Sequence, residues 1–269
     1  MGGPLKTLTK TKPPPSQRTL ILSSSMKTQT LLLLLASHLF TPSTSYFIPA
    51  APTKVRILPD KTAVSAEVIA VLNSAAEEAI AAKGSFSLAI PGGSLLDMLA
   101  ACDSPPWAAQ TTVAYVNHKC VDMDDAELST HAKATKKFLA SWKGVTAITL
   151  SGRGDALAEA ERYEAALRSL PPSVLPVDGG RGSAPSQPVF DLILIGVGDD
   201  GHVGSLYPSR PEALELGERW VIPVEMKTPG SISLSLPAMK AGKQVVVAAC
   251  GVSVKYPKVR GQVFLKEAG

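Results

Sequence analysis

The chain has 269 residues, 45% of them hydrophobic, enough for one large core or two small ones. Its formal charge of +4 is unevenly distributed: residues 1–56 hold seven of the 27 basic side chains and no acid, which leaves 20 basic against 23 acidic groups in the remainder. That balance gives nucleic-acid binding by the folded part no support. Three widely spaced cysteines (Cys102, Cys120, Cys250) without a CxxC pair argue for buried thiols in a reducing compartment rather than a zinc site or a disulfide framework.

Residues 1–30 are rich in Lys, Ser, Thr and Pro. An apolar run from Leu31 to Phe40 follows, too short to span a bilayer, with Lys27 before it and Ser43-Thr44-Ser45 after it. Starting from Met26, this is the charged, apolar and small-residue order of a secretory signal. The acid-free stretch Tyr46 to Pro52 comes next. The arrangement resembles the two-part plastid presequence of algae with secondary plastids, in which an aromatic residue follows the signal cleavage point. The expectation is an N-terminal targeting or disordered segment over residues 1–54, plastid import, and no stable membrane association after processing. Secretion, a cytoplasmic location and a true start at Met26 stay open as alternatives.

From about Val55 helical and strand patterns alternate. Ala63 to Ala82 has apolar residues at helical spacing and stops at Lys83-Gly84. A strand is predicted over Ser85–Ile90, then a short helix to Cys102, a strand over Thr111–Val116 ending at Asn117-His118-Lys119, a mostly helical stretch over Ala126–Trp142 and a strand over Val145–Leu150. Asp155–Leu170 reads as a charged surface helix, and residues 171–188 as a loop inserted within one domain. Phe190 to Gly196 is a buried strand, followed by a strand over Trp220–Met226, a helix over Leu236–Ala241 and a strand over Gln244–Ala249. Such alternation predicts an α/β fold: a doubly wound, mainly parallel, Rossmann-like three-layer sandwich forming one domain over residues 55–269.

In such sheets ligands lie beyond the carboxyl ends of the strands. The loop after Phe190–Gly196 carries Gly198, Asp199, Asp200, Gly201 and His202. It matches G-x-G-x-x-G, but two acids would face a pyrophosphate and Pro208 would cut short the helix that binds one, so a dinucleotide is disfavoured. The glycines instead let backbone approach a small ligand and offer it N–H groups. His202 is the candidate general base, because an imidazole titrates near neutral pH. Asp199 or Asp200 would orient it, and Asp200 joins the catalytic candidates. Gly92, Gly93 and Ser94, between a strand and a helix start, form a candidate phosphate site, against the plainer reading of a turn capped by Ser94. Lys119 is the candidate substrate-facing cation, and Asn117 lies beside it. No metal-ligand spacing is present.

The segment Phe190 to Pro208 resembles the signature of the 6-phosphogluconolactonases, within the glucosamine/galactosamine-6-phosphate isomerase superfamily. Ile90 to Ser94 is similar to the S-G-G-S loop of that family, and Tyr115 to Val121 to its D-E-R-x-V region. Ser231 to Pro237 resembles R-I-T-L-T-L-P, and Gly251 to Lys255 resembles G-x-x-K. The resemblance implies hydrolysis of 6-phospho-D-glucono-1,5-lactone to 6-phosphogluconate in the pentose phosphate pathway, without a cofactor or metal, in a chain that binds a small sugar phosphate and is expected to be monomeric. It implies His202 as the water-activating base. Lys119 and the amides of Gly198 and Gly201 would serve the oxyanion. Gly92, Gly93, Ser94 and Lys255 would hold the phosphate.

Three departures from the family pattern bear on activity. Asn117-His118-Lys119 stands for D-E-R, so its carboxylates are lost and a forked guanidinium becomes a point charge. Ser231 stands for the Arg before I-T-L. The resemblance also implies a further helix and strand beyond Gly269. A non-catalytic sugar-phosphate-binding protein is therefore the alternative. Amino-sugar-phosphate isomerisation is disfavoured, because no Glu stands in Gly201 to Pro208 where that activity's G-H-I-A-F-N-E-P pattern has one.

Overall fold

The computed structural model describes residues 19–25, 54–152, 154–179, 185–214 and 217–250. Among the described residues ten strands form two sheets. They are β1 (Thr19–Ser25), β2 (Lys54–Leu58), β3 (Phe86–Ile90), β4 (Thr111–Tyr115), β5 (Asn117–Lys119), β6 (Thr146–Ala147), β7 (Leu192–Gly196), β8 (Val221–Val224), β9 (Ser231–Leu234) and β10 (Gln244–Ala249). The larger sheet runs β2-β1-β10-β7-β3-β4-β6, and β5-β9-β8 makes a small antiparallel one.

From β10 to β6 the large sheet is parallel. Chain order proceeds outward from β3 through β4 to β6, then returns to β7 and β10 on the other side of β3. The winding reverses between β3 and β7, and that reversal opens a crevice beyond their carboxyl ends. The expected doubly wound α/β fold is therefore present.

The helices form where their ends are satisfied and one face is apolar. In α1 (Lys61–Lys83) the Asp60 carboxylate accepts the Ala63 N–H at 2.8 Å, and Gly84 closes the last turn by donating to the Ile80 carbonyl at 2.8 Å. Its buried face is Val64, Val68, Leu72, Ala75, Ala76 and Ala79, a run of i, i+4 and i+3 steps laid against the sheet. The helix α2 (Ser94–Leu99) follows β3 directly. The next, α3 (Thr130–Ala134), continues as a π-helical turn over Thr135–Leu139. In α4 (Ala156–Arg168) Glu164 accepts the N–H groups of Trp220 and Val221 at 2.9 and 3.0 Å, which ties the helix to β8. The last, α5 (Leu236–Ala241), is capped by Ser235.

β3 is buried along its whole length, and Asp191 locks it beside the start of β7. That carboxylate accepts the Ser87 N–H at 2.9 Å and the Ser87 hydroxyl at 2.8 Å, and pairs with Lys83 at 3.0 Å. Three interactions on one buried carboxylate offset the desolvation that burial imposes on it. Among the described residues the core is a single cluster that includes Trp107, Trp142, Tyr163 and Trp220. Burial pushes the Cys102 thiol up to about 11, with Asp103 adding to it, and pushes Cys120 up to about 12. Both are inert packing groups at neutral pH.

The structure revises several sequence expectations. The mostly helical stretch begins at Thr130 rather than Ala126, because Ser129 caps it by accepting the Ala132 N–H at 3.0 Å. The strand expected over Val145–Leu150 contracts to Thr146–Ala147. Ser231–Leu234 is a strand absent from the predicted alternation, and Asn117–Lys119 is a strand of the small sheet rather than the tail of β4. The loop over residues 171–188 holds one bridge, between Val177 and Pro188. Within the segment assigned to targeting or disorder, Thr19–Ser25 is a strand that pairs antiparallel with both β10 and β2. No described helix is long and apolar enough to cross a membrane.

Candidate active site

Two loops flank the switch point. One follows β3 through Pro91, Gly92 and Gly93 into α2; the other follows β7 from Val197 to Pro208. The elements that carry them pack together where a Cβ on Gly196, at the end of β7, would touch Leu95 Cδ1 of α2 at 3.6 Å.

The second loop carries an imidazole but is held by buried groups. Val203, Ser205 and Leu206 are buried, and Val203 bridges to both Val197 and Leu206. The Ser205 N–H donates to Ser233 Oγ at 3.2 Å, and Asn117 Nδ2 donates to Ser205 Oγ at 3.2 Å. Asn117 thus braces the loop from β5 of the small sheet. With its base anchored, His202 projects half-buried from the loop.

His202 Nδ1 lies 2.6 Å from Asp200 Oδ1, and the His202 backbone N–H donates to the same oxygen at 3.2 Å. An ionised carboxylate only accepts, so the tautomer assigned by this contact has the proton on Nδ1 and a lone pair on Nε2. Partial burial pushes the Asp200 carboxyl up. The side-chain and backbone hydrogen bonds from His202 outweigh it and leave the carboxyl below its usual range. Tyr207 covers the imidazole, with ring centroids 4.7 Å apart and planes tilted by 35°. Lys227 Nζ donates to the Tyr207 hydroxyl at 2.8 Å.

The glycines serve geometry first. A Cβ on Gly198 would fall 2.0 Å from His202 Cε1, so any side chain there would occupy the space of the imidazole. Gly201 has φ of 88°, the left-handed conformation that turns the chain back toward His202. The sequence expectation is that their N–H groups face a ligand. Instead Gly198 donates to the His202 carbonyl at 2.8 Å and Gly201 to the Gly198 carbonyl at 3.0 Å, so both donors are taken up inside the loop.

On the β3 side, Gly92 is half-buried, Gly93 and Ser94 are exposed, and Gly93 rather than Ser94 takes the cap position. A Cβ on Gly92 would meet Thr130 Oγ1 at 3.2 Å, which sets this loop against the start of α3. The helix α2 has only six residues, so what this loop offers is backbone N–H groups and the Ser94 hydroxyl rather than a long helix dipole. Lys119 is half-buried on β5, opposite Ser231 of β9. Lys255 lies outside the described residues.

His118, one residue from Lys119, is a structural group. It is 1% exposed; Nδ1 donates to the Lys119 carbonyl at 2.6 Å, and Nε2 accepts the His131 N–H at 3.0 Å and lies 3.2 Å from Ser129 Oγ. Burial pulls its pKa down to about 4, so the ring is neutral and fastens β5 to α3. Among the described residues no group of three or more His, Cys, Asp or Glu side chains is placed to hold a metal ion.

His202 and Asp200 are legible in the sequence as site residues, whereas Tyr207 gains its place only from its contact with the imidazole. The aromatic at Tyr207, five residues beyond the histidine in a loop closed by Pro208, was the available signal.

The chain's sequence matches the profile of the glucosamine-6-phosphate isomerases/6-phosphogluconolactonase family over residues 59–259. It belongs to that family. It is 29% identical over 219 residues to a probable 6-phosphogluconolactonase 1 of Arabidopsis thaliana, a match covering 74% of this chain and 76% of that protein. To human 6-phosphogluconolactonase it is 31% identical over 182 residues, covering 63% of this chain and 66% of the relative. Among solved structures, the 6-phosphogluconolactonase from Leishmania guyanensis superimposes with a TM-score of 0.58 at 22% identity, over 68% of this chain and 76% of that one. At that identity the superposition speaks to the fold, and it agrees with the mainly parallel sheet described above. The matched residues 59–259 include both loops of the site.

Proposed function

We propose that the protein hydrolyses 6-phospho-D-glucono-1,5-lactone to 6-phospho-D-gluconate, with His202 as the general base. The observation that carries this reading is the 2.6 Å contact between His202 Nδ1 and Asp200 in a loop at the switch point of the sheet, in a family with relatives named for this reaction.

Water attacks the lactone carbonyl C1 as Nε2 of His202 takes its proton. Asp200 accepts from Nδ1 and balances the charge of the imidazolium that forms. The tetrahedral intermediate collapses by breaking the bond between C1 and the ring oxygen, and Nε2 returns the proton to that oxygen. The products are a carboxylic acid and a free hydroxyl, so atoms balance with one water consumed. The intermediate's oxyanion calls for a donor, and with the Gly198 and Gly201 amides engaged in the loop that role falls to Lys119. The phosphate, with a charge of roughly −1.5 to −2, binds at Gly92, Gly93 and Ser94, whose exposed backbone and hydroxyl suit an anion. Lys255 is its basic partner. The protein works as a monomer. The acid-free N-terminal segment and its short apolar run support import into a plastid.

The test follows decay of the phospholactone against buffer, since lactones also open spontaneously. Wild type should accelerate decay, and His202→Ala should lose about a hundredfold to ten-thousandfold in kcat. Equal rates for wild type, variant and buffer would remove the enzymatic reading. Binding of 6-phosphogluconate without turnover would favour a sugar-phosphate-binding protein instead.

A further inference from the structure

The hairpin between β8 and β9 brings a cation to the catalytic loop. Its turn is fixed at both faces: the Gly230 carbonyl accepts the Cys120 N–H at 2.8 Å, and a Cβ on Gly230 would stand 3.0 Å from Ala156 Cβ of α4. From this turn Lys227 reaches the Tyr207 hydroxyl at 2.8 Å, with Nζ 4.8 Å from the ring centroid. Tyr207 in turn lies on the His202 ring. An exposed lysine ordinarily samples many rotamers, and ordering it has an entropic cost. Here the phenol engages one of three ammonium donors and leaves two for a ligand.

We propose that Lys227, held by Tyr207, is a further cation that reads the phosphate monoester of the substrate and sets preference for a phosphorylated over an unphosphorylated lactone. This rests on the lactonase reading of the site. Three features support it. The ammonium is solvent-exposed, so an incoming anion meets it directly. Its hydrogen bond from Nζ to Tyr207 favours the charged form, and Asp200 nearby adds to this, so it stays cationic. Tyr207 couples it to the imidazole, so anion capture and base orientation share one aromatic ring.

The test compares kcat/KM for 6-phosphogluconolactone with kcat/KM for unphosphorylated glucono-1,5-lactone. Lys227→Met should lower the ratio of the two by about tenfold to a hundredfold, the worth of one charge-assisted hydrogen bond. The loss should sit mainly in KM for the phosphorylated substrate. Tyr207→Phe, which removes the tether and keeps the ring, should lower the ratio by less, and Lys227→Arg should restore most of it. A ratio unchanged in Lys227→Met, or equal losses on both substrates, would overturn the proposal, because a merely structural lysine affects both alike. Calorimetric titration with 6-phosphogluconate and with gluconate separates the two claims. Should wild type hydrolyse neither lactone, the lactonase reading fails by itself. Selective weakening of 6-phosphogluconate binding in Lys227→Met would still support the cation's role, and equal weakening of both ligands would overturn it.

Discussion

The backbone of Gly198 and the ring of His202 occupy adjoining space, so that a Cβ added to Gly198 would lie 2.0 Å from Cε1 and 2.1 Å from Nδ1 of the imidazole. Gly198 is not among the residues with positive φ, so alanine there carries no backbone strain of that kind. Gly198→Ala should therefore act through the ring alone. The imidazole must swing away from Asp200, and kcat should fall toward the level of His202→Ala while the thermal midpoint stays near wild type. A melting curve and a lactonase assay on one preparation check both halves. A variant with wild-type kcat would show that the ring tolerates displacement.

Asp200 tests orientation and charge separately. Asp200→Ala removes the acceptor for Nδ1 and should lower kcat by about tenfold to a hundredfold, the range of a charge-assisted hydrogen bond, with KM little changed. Asp200→Asn keeps an acceptor and loses the charge, so its kcat should fall between those of wild type and Asp200→Ala. Steady-state kinetics across pH would record this. An Asn variant as impaired as the Ala variant would assign the effect to charge alone.

His118 makes stability depend on acidity. Burial lowers its pKa from 6.5 to about 4, so the unfolded chain takes up the proton first as pH falls. Its contribution is fully present above about 6.5 and is lost progressively between there and about 4. At about 1.4 kcal/mol per pH unit, the loss across that window is on the order of 3 kcal/mol. Urea unfolding at several pH values should show this slope in wild type and a flatter one in His118→Gln. Parallel slopes would assign the acid sensitivity to other groups.

The N-terminal strand makes a prediction about processing. β2 pairs with β1, and β1 separates it from β10. A chain beginning at Tyr46 lacks β1, so amides of Gln244–Ala249 that face it should exchange faster with deuterium, while those facing β7 keep their protection. Hydrogen exchange on chains 1–269 and 46–269, read by mass spectrometry, checks this. Identical exchange in both would mean that β1 does not pair with β10 in solution.

Local pattern made much of the fold legible. Gln244–Ala249 and Leu236–Ala241 emerged with the boundaries expected of them, and α1 within two residues at its start, because hydrophobic spacing and end-capping residues such as Asp60 and Gly84 act over a few neighbouring positions. The small sheet was not legible. Ser231–Leu234 and Asn117–Lys119 are short, and they become strands by pairing with each other across more than a hundred residues of chain. The site divided the same way: His202 and Asp200 are neighbours in one loop and could be marked from sequence, whereas Lys227 meets Tyr207 only because the β8–β9 hairpin folds against that loop.

The sequence by itself determined the family, the parallel α/β scaffold and the placing of a histidine beyond the end of a buried strand, since each is written in contiguous motifs and periodic burial. Tertiary structure decided which groups have donors and acceptors to offer. It engaged the Gly198 and Gly201 amides within the loop, made His118 a buried fastener and joined Asp200 to the imidazole. Hydrogen-bond capacity is finite and directional, so whether a polar group is available to a substrate depends on what the folded chain has already placed around it.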